Sequence, residues 1–426
     1  MVEPLLVGDL DLDAPLPHLP ASPRHASSRL LARLHTRPMG EVELRWDGAG
    51  LAPDELAAQA WPQVADRVHA HLRSEGVPVP DRLPVQGLVP EQPPVCLDVR
   101  SRPEQPTITV VVATRDRTAS LERTLASLER LRYEKFDVVV VDSAPSTAET
   151  QLALRSRSAP FALRYVRTSR PGLALAHNTA LDLVTGEVVA FTDDDVEVDP
   201  WWLSAVAETF ADGDVTCVTG LILAAELETP AQLWVEQAGG FARGFEERRF
   251  SLSRPSPDPL FPFTAGRFGS GANMSFRTGW LRDRAGFDRA TGAGTPARGG
   301  DDLAAFCRVV LDGGVLAYQP AAIVRHWHRR DYAGLRRQSF GYGIGLGAYL
   351  TSTAWRQPSL VAQMARRAVP ATAHLLAHDS AKNRGKRTDF PAELTWRERA
   401  GLALGPPAYL LSRWRYRSTT PWGAPS

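Results

Sequence analysis

An α/β fold with a mainly parallel sheet and flanking helices is predicted by two features of residues 107–331. Runs rich in β-branched residues alternate with segments that have the apolar spacing of helices, which is typical of right-handed βαβ units. The fourth run ends abruptly in three consecutive carboxylates, Asp193, Asp194 and Asp195. Because open α/β sheets bind ligands at the carboxyl ends of their strands, this acidic turn is the first candidate site.

The alternation continues along most of this region. Leucines recur every three or four residues in 118–130, and continuous apolar runs mark buried strands. The long polar segment 243–267 is expected to be a functional lid or acceptor loop, and small residues in 269–277 allow close backbone approach to a ligand. The predicted strands are 107–114, 136–142, 162–167, 188–191, 215–223 and 315–324, and the predicted helices are 118–130, 172–185, 229–240 and 303–311.

The N-terminal part predicts a small α+β domain over residues 1–77. We expect an extended arm in 1–29, a β-hairpin in 30–44 that turns at Arg37-Pro38-Met39-Gly40, and a helix in 53–74. Eight prolines between Pro78 and Pro106 predict a linker, 78–106, that sustains neither helix nor central strand. No catalytic motif occurs before this linker.

The C-terminal region, 332–426, is predicted to be helical and basic. From residue 361 onward there are eleven Lys and Arg and four Asp and Glu, a net charge of +7. Aromatic residues are interleaved with these charges, which fits helices on an anionic membrane surface or contact with a phosphate-bearing acceptor. A helical cap that packs its aromatics on the catalytic domain fits equally well. The aromatic residues are Trp355, Trp396, Tyr409, Trp414 and Tyr416.

The composition of the 426 residues is that of an ordinary globular protein. The 49 basic and 48 acidic residues leave a formal net charge of +1, so the overall charge favours no polyanion, and no nucleic-acid motif is visible. Three widely spaced cysteines, Cys96, Cys217 and Cys307, favour buried reduced thiols over disulfides or a metal site. Without a signal peptide or a membrane-spanning run, we expect a cytoplasmic protein, with peripheral attachment at the inner face of the membrane left open.

The acidic turn predicts a divalent-cation site. Adjacent carboxylates repel one another, so they are usually held by a cation or by positive partners. Asp193 and Asp195 share one side of an extended backbone, which makes them candidate ligands of Mn²⁺ or Mg²⁺. The alternative is a solvated acidic turn that caps the helix beginning near Pro200.

Two further polar clusters follow predicted flexible or strand segments. Asp301 and Asp302 come after Gly299-Gly300 at a helix start, where one carboxylate can cap the helix while the other serves as a general base. Simple capping is the alternative. His326 and His328 follow the last strand among several arginines and can complete a metal shell or contact phosphate. Here the alternative is a solvated basic strand end.

Taken in order, these motifs resemble the family 2 inverting glycosyltransferases of GT-A fold, a Rossmann-like architecture, over about residues 107–350. Each motif alone is weak, and the resemblance lies in the ordered set. The motifs are 107–114 with Arg117, Val138-Val139-Val140-Val141-Asp142, Arg170-Pro171-Gly172-Leu173-Ala174 with Asn178, Thr192-Asp193-Asp194-Asp195, and Gly299-Gly300-Asp301-Asp302. The catalytic domain is accordingly expected to span 107–331.

The resemblance implies roles for individual residues. Asp193 and Asp195 match the Asp-X-Asp motif that holds Mn²⁺ or Mg²⁺ on the donor diphosphate, and His326 matches a histidine near that metal. Asp302 matches the base that deprotonates the acceptor hydroxyl, with Asp301 beside it in the place of the family's Glu. The residues implied for nucleotide and substrate binding are Thr114, Arg117, Asp142, Arg170, Asn178, Asp193 and Asp301.

The implied reaction moves a sugar from a UDP-, GDP- or dTDP-sugar to a hydroxyl of a glycan, a glycolipid or a small molecule. Departures from the family pattern at 113–117 and 143–145 leave the nucleobase contacts, and so the donor, open. Two alternatives remain. One is a protein that binds a nucleotide-sugar or glycolipid without turnover. The other is a sugar-phosphate nucleotidyltransferase, which needs a glycine-rich loop that 114–120 lacks.

Overall fold

The computed structural model describes residues 3–47, 50–90, 92–100, 105–377, 380, 383 and 385–417. The side chains of residues 98–100 and 376 are not described. Predictions that fall on residues 1–2, on 91 and 101–104 of the proline-rich segment, and on 418–426 lie outside these ranges. Within the described residues, no helix combines the length and the apolar character needed to cross a membrane.

The N-terminal unit is a three-stranded sheet covered by one long helix. The sheet contains β1 (Leu6–Asp11), β2 (Ser27–Leu34) and β3 (Arg37–Arg45), and the helix is α1 (Pro53–Ser74). β1 pairs in parallel with β2, so the expectation of an extended arm in 1–29 was wrong for these residues. The predicted hairpin is present, as β2 and β3 pair antiparallel.

The hairpin turn lies two residues earlier than predicted. His35 and Thr36 both have positive φ angles, 51° and 64°, and they reverse the chain between β2 and β3. Such a turn matches the right-handed twist of the strands, but His and Thr are not residues that signal it. Residues 37–40, predicted as the turn, are instead the start of β3.

The proline-rich segment is not a free linker in the structure. Leu83 is buried in the N-terminal core and Leu88 packs against it, while Val95–Arg100 forms the short helix α2. Prolines exclude central strands but do not prevent apolar side chains between them from packing. The segment therefore follows the surface of the N-terminal unit, and the limits 1–77 and 78–106 stay predictions.

The N-terminal unit is joined to the main sheet by apolar and ionic contacts. Leu31 of β2 packs with Leu221 and Ile323, all buried. Arg33, also buried, donates to Asp9 at 2.9 Å within its own unit and to Asp199 at 2.5 Å in the catalytic part. A buried guanidinium needs such paired carboxylates, so these contacts fix one unit against the other.

The main sheet of the described residues has nine strands and confirms the predicted α/β class. Parallel pairing joins β7, β4, β5 and β6, as predicted, and also β9 and β12, but β8, β10 and β11 pair antiparallel, so the sheet is mixed. The order is β10-β12-β9-β11-β7-β4-β5-β6, with β8 beside β12. The strands are β4 (Ile108–Thr114), β5 (Phe136–Ser143), β6 (Ala162–Thr168), β7 (Val188–Asp193), β8 (Val196–Val198), β9 (Val215–Ala224), β10 (Arg248–Phe250), β11 (Asn273–Arg277) and β12 (Val315–His326).

Helices cover both faces of this sheet. Alternate residues of the central strands point to opposite faces: Val111 packs with α5 and α9, whereas Val110 and Val112 pack with α3 and α6. The predicted helices are present, and α4 and α8 are additional. The helices are α3 (Thr118–Leu128), α4 (Glu149–Ser156), α5 (Leu173–Leu181), α6 (Trp202–Phe210), α7 (Pro230–Gln237), α8 (Thr278–Asp283) and α9 (Asp301–Leu311).

The segment 243–267 is more ordered than a polar loop. It contributes β10 to the edge of the sheet and buries Phe250, Phe261 and Phe263 in one of the two cores. These aromatic side chains hold the segment in place, because fully burying one of them stabilises the folded state by about 1.5–3 kcal/mol. Its expected role as a lid or acceptor loop stays a prediction.

The C-terminal region is helical, as predicted. It comprises α10 (Tyr332–Arg356), α11 (Val361–Arg366), α12 (Ala368–Leu376) and α13 (Ala392–Arg415). Glycines line the contact between α10 and α13, and a Cβ added at Gly405 would lie 2.4 Å from Gly347 Cα. Helix backbones can approach this closely only where both surfaces lack side chains.

We expect Gly343→Ala to lower the free energy of unfolding by about 2–3 kcal/mol, because its Cβ would lie 2.0 Å from the carbonyl oxygen of Glu398 in α13. Gly341→Ala, two residues away in the same helix, is the matched control. Its Cβ would lie 4.0 Å from the nearest atom, in Arg298, so higher helix propensity should raise stability by up to about 1 kcal/mol. Thermal denaturation measures both. Effects of the same sign in the two variants would contradict the close contact.

Candidate functional site

The acidic turn is held by residues from the neighbouring strand and its loop. At the end of β4, the Thr114 hydroxyl donates to Asp194 Oδ2 at 2.7 Å. Arg117 donates from Nη1 to Asp194 Oδ1 and from Nη2 to Asp195 Oδ2, both at 2.6 Å. Thr114 and Arg117, implied as nucleotide contacts, therefore form the support of the acidic turn.

His326 is brought to the same place by the sheet. β8, which directly follows the acidic turn, pairs with the end of β12, and the backbone N–H of Trp327 donates to the Asp195 carbonyl at 3.0 Å. His326 Nε2 lies 3.4 Å from Asp195 Oδ1. One ligand atom each from Asp193, Asp195 and His326 lies within 4.8 Å of the others, so the structure brings together the three predicted metal ligands.

The electrostatics of the turn are those of crowded carboxylates. Burial, together with the neighbouring Asp195 carboxylate, raises the pKa of Asp193 to about 7. Burial also raises the pKa of Asp194 to about 6, although Arg117 opposes this. For Asp195 burial acts upward too, but the hydrogen bond from His326 and the charge of Arg117 outweigh it and lower the pKa. A divalent cation would relieve the repulsion that remains.

A chain of hydrogen bonds behind His326 fixes the orientation of its ring. His326 Nδ1 lies 3.0 Å from His328 Nδ1, and His328 Nε2 lies 3.0 Å from Glu236 Oε1 of α7. Glu236 can only accept when ionised, so His328 donates to it from Nε2 and accepts from His326 Nδ1. His326 Nε2 then faces Asp195 and donates its N–H to that carboxylate; burial lowers the pKa of His326, but this contact outweighs burial and raises it. Loss of this proton exposes the lone pair that binds a metal ion.

The second acidic pair begins α9. Asp302 Oδ2 accepts from the backbone N–H of Gly271 at 2.9 Å, and Asp302 Oδ1 accepts from that of Leu303 at 2.8 Å. Both Asp301 and Asp302 line the same cavity as the acidic turn. Two backbone donors, one from the loop before β11, hold the Asp302 carboxylate in one orientation.

The two carboxylates differ in environment. Burial, with repulsion from Asp302, raises the pKa of Asp301 to about 8. Its neighbour His177, whose Nδ1 lies 3.9 Å from Asp301 Oδ2, is fully buried, and burial lowers the pKa of this imidazole to about 3. Burial raises the pKa of Asp302 as well, although the N–H groups of Leu303 and Gly271 oppose the shift. Burial therefore favours the protonated form of both carboxyls, and only Asp302 accepts the N–H groups of Gly271 and Leu303 through its side chain.

Asp142 lies at the end of β5, fully buried. Its Oδ2 accepts from the hydroxyl of Tyr165 at 2.8 Å, and its Oδ1 has no hydrogen-bond partner among the described residues. Burial raises the pKa of this carboxyl. An unpaired buried carboxylate oxygen is unfavourable by itself, so it is a candidate acceptor for a ligand N–H or O–H.

Two predicted residues make their hydrogen bonds elsewhere. Arg170 donates to the backbone carbonyl of Arg415 at 2.6 Å and lies over the ring of Tyr416, so it contacts the end of α13. Asn178 makes two bonds to the backbone of Phe287, at 2.9 and 2.7 Å. Among the described contacts, neither side chain reaches the acidic turn, although the resemblance implies that both contact the nucleotide or substrate.

The acidic turn, Thr114, Arg117, His326, Asp301 and Asp302 line one large cavity of about 1410 Å³, whereas Asp142, Arg170 and Asn178 are not among the described residues that line it. The ends of β4 and β7, the loop before β11 and the start of α9 form one side, whereas α10 to α13 and the segment 243–267 form the other. Cationic side chains line it beside apolar ones. The cations are Arg115, Arg117, Arg243, Arg248, Arg267, Arg298, Arg329, Arg367 and Lys386.

Several residues of this site were not found from the sequence. Phe241 packs against the rings of His326 and His328 at centroid distances of 5.3 and 5.7 Å, and Tyr342 of α10 lines the cavity next to Phe241. Glu236, which completes the histidine chain, comes from a helix whose sequence has no motif. A carboxylate in a helix directly before the aromatic segment is too common a pattern to single out.

Comparison with known proteins gives one family match. Residues 109–274 match the sequence model described as Glycosyl transferase family 2, so the predicted resemblance is confirmed over this segment. The pre-mycofactocin glycosyltransferase of Mycobacterium tuberculosis (strain ATCC 25618 / H37Rv) is 28% identical over 247 residues, 57% of this chain and 47% of that protein. The chain thus aligns with about half the length of this relative.

One further sequence relative and one solved structure are also similar to this chain. The succinoglycan biosynthesis protein ExoM of Rhizobium meliloti (strain 1021) is 28% identical over 281 residues, 64% of this chain and 84% of that protein. Among solved structures, the mannosyltransferase PcManGT from Pyrobaculum calidifontis in complex with GDP-Man and Mn²⁺ is 22% identical with a TM-score of 0.44, covering 74% of this chain and 89% of that one. A structural similarity at this level says nothing about function.

We expect Arg117→Met to lower the free energy of unfolding in metal-free buffer by about 2–3 kcal/mol, because it leaves two buried carboxylates without their shared donor. Arg115→Met is the control, since Arg115 is half-exposed and its only described ion pair, with Asp116, is 3.8 Å long. This variant should change stability by no more than about 0.5 kcal/mol. Denaturant unfolding with a chelator present measures both, and equal losses would refute the supporting role of Arg117.

Proposed function

We propose that this protein is a metal-dependent inverting glycosyltransferase that moves a sugar from a nucleotide-sugar to an acceptor hydroxyl. The observation that carries the proposal is the convergence of Asp193, Asp195, His326 and Asp302 on one cavity at the carboxyl ends of β4 and β7. The match of residues 109–274 to family 2 glycosyltransferases supports the same reading.

The donor set at the acidic turn fits Mn²⁺ or Mg²⁺. Asp193 and Asp195 offer hard carboxylate oxygens, and His326 offers Nε2, which His328 and Glu236 orient toward them and which binds a metal ion once it loses its proton. A bound divalent cation neutralises the negative charge of the departing nucleoside diphosphate. Arg329, which lies among the cavity cations near His326, adds positive charge on the same side.

The nucleoside is proposed to lie over the ends of β4 and β5. Ser143, Ala113 and Thr114 line the cavity there, and the unpaired Oδ1 of Asp142 is an acceptor for an N–H of the base or a hydroxyl of the ribose. Uracil, guanine and thymine all offer a ring N–H. A UDP-, GDP- or dTDP-sugar therefore remains the proposed donor class.

Asp302 is the proposed general base. Its carboxylate faces the cavity and is held by the N–H groups of Gly271 and Leu303, so it can accept a proton from an acceptor hydroxyl without first reorienting. The raised pKa of Asp302 makes it a stronger base than an exposed carboxylate. Attack on the face opposite the diphosphate inverts the anomeric carbon in a single displacement.

The acceptor is proposed to bind between the catalytic part and the C-terminal helices. That side of the cavity combines apolar residues such as Phe263, Met364 and Phe390 with cations such as Arg367 and Lys386. This mixture fits an acceptor with both apolar and anionic parts, including a lipid-linked one. The exposed tryptophans 355, 396 and 414 support peripheral contact with an anionic membrane surface.

Metal-dependent release of nucleoside diphosphate from a panel of UDP-, GDP- and dTDP-sugars tests the proposal. One donor should be hydrolysed slowly with Mn²⁺ or Mg²⁺, and Asp195→Asn should lower the rate by about 10²-fold or more. Asp214→Asn, an exposed carboxylate after α6, should leave the rate unchanged.

Two results would contradict the proposed glycosyltransferase function in different ways. Donor binding that needs metal but gives no turnover with any acceptor would favour a nucleotide-sugar binding protein. Failure of every donor to bind in the presence of either metal would show that the acidic turn is only structural.

We expect Asp302→Asn to lower hydrolysis of the active donor by about 10²- to 10⁴-fold while its affinity changes less than about threefold, since a base is lost but no donor contact is. Asp301→Asn is the matched control. Because the pKa of Asp301 is about 8, this carboxyl is largely neutral at pH 7, and an amide of the same shape should retain much more activity. Steady-state rates and calorimetric donor binding give both quantities. Comparable rates in wild type and Asp302→Asn would remove the base assignment.

A further inference from the structure

Three side chains that can bind a metal ion meet in the N-terminal unit, outside the cavity described above. They come from separate elements: His35 from the turn between β2 and β3, His71 from the last turn of α1, and Cys96 from α2. His35 Nδ1 lies 3.0 Å from His71 Nε2, and Cys96 Sγ lies 3.8 Å from the same nitrogen. All three ligand atoms lie within 4.8 Å of one another.

These distances are close to those of a tetrahedral zinc site. With bonds of about 2.0–2.1 Å to nitrogen and about 2.3 Å to sulfur, tetrahedral angles place two nitrogens about 3.3 Å apart and a nitrogen and a sulfur about 3.6 Å apart. The observed separations of 3.0 and 3.8 Å differ from these by about 0.3 Å or less.

We propose that His35, His71 and Cys96 bind one Zn²⁺ ion, with the carboxylate of Glu75 at the fourth position. Two imidazoles and a thiolate are the ligand types that select zinc, whereas the carboxylates of the acidic turn suit Mn²⁺ or Mg²⁺. The two sites therefore differ in chemistry as well as in place. This proposal does not depend on the glycosyltransferase activity.

Glu75 is the acidic side chain beside the three ligands, although its oxygens lie outside the group of atoms within 4.8 Å of one another. It follows His71 by four residues at the end of α1, so the two side chains lie on the same face of the helix. Its carboxylate oxygens accept from the backbone N–H of Cys96 at 3.1 and 3.3 Å. The Cys96 thiolate and the Glu75 carboxylate together balance the charge of the ion. Arg37, which also faces the Cys96 thiol, is paired with Glu208 at 2.6 Å.

His35 is buried at the position where the proposed zinc ion would bind. His35 is only 2% exposed, and its Nε2 has no hydrogen-bond partner among the described residues. A metal bond at Nδ1 keeps the ring proton on Nε2, so the free energy of that bond must exceed the cost of leaving the buried Nε2–H unpaired. The ion would tie the strained hairpin turn and the proline-rich segment to α1. A small unit with a limited core gains most from such a link.

Metal analysis of the full chain tests the proposal. Protein loaded with Zn²⁺ in excess Mg²⁺, which occupies the carboxylate site, and then desalted should retain about one zinc per chain. Replacement by Co²⁺ should give a thiolate-to-cobalt charge-transfer band. Cys96→Ser should abolish that band and His71→Gln should reduce zinc content to below about a tenth. His69→Gln, on the same helix but bonded to the carbonyl of Pro80, should leave both unchanged.

A measurement on the wild-type chain tests the zinc site without relying on variants, which can fail to fold. Zn²⁺ should slow the alkylation of Cys96 at least about tenfold relative to chelator, as followed by mass spectrometry, because a bound thiolate is not free to react. Cys217 and Cys307, both fully buried, serve as internal references. Equal alkylation of Cys96 with and without Zn²⁺, or a zinc content that persists in Cys96→Ser, would overturn the proposal.

Discussion

The structure depends on the crowding of three carboxylates at the end of β7. Their mutual repulsion opposes folding, and it is offset by three side chains: Thr114 at the end of β4, Arg117 in the loop that follows, and His326 at the end of β12. β4 and β12 must both be in register with β7 and β8 to deliver these groups. The candidate site therefore forms only when the sheet is correctly paired, because an error in strand pairing would leave buried carboxylates without their partners.

Much of the fold could be predicted because the buried strands are continuous β-branched runs and the acidic turn marks where one of them ends. The three candidate metal ligands could be predicted for the same reason, as Asp193 and His326 end their strands and Asp195 lies between β7 and β8. Other features depend on distant contacts that spacing does not encode. Glu236 reaches His328 across 92 residues, and the turn at His35 and Thr36 uses a conformation that neither residue type signals. The resemblance gave Arg170 and Asn178 roles near the nucleotide, but their hydrogen bonds go to α13 and to Phe287.

The N-terminal unit is linked to the catalytic part through charges that are themselves connected to the site. Glu236 holds His328 through one oxygen, and its other oxygen lies 3.6 Å from Arg29 of β2. Arg325, next to His326, donates to Asp9 of β1 at 2.9 Å. Strands of the small sheet thus supply counter-charges behind the histidine pair. Among its described residues, the unit contributes no group to the cavity, yet it helps to fix residues that line it.

The glycine contact between α10 and α13 controls the width of the cavity. These two helices form one wall of the cavity, and their separation is set by backbone atoms that touch without side chains between them. A larger residue at Gly347 or Gly405 would push α13 outward by the width of a side chain, while the acidic turn and Asp302 lie on elements that need not move. The dimensions of this side of the cavity can therefore change through substitutions in the glycine contact, while Asp193, Asp195 and Asp302 keep their positions.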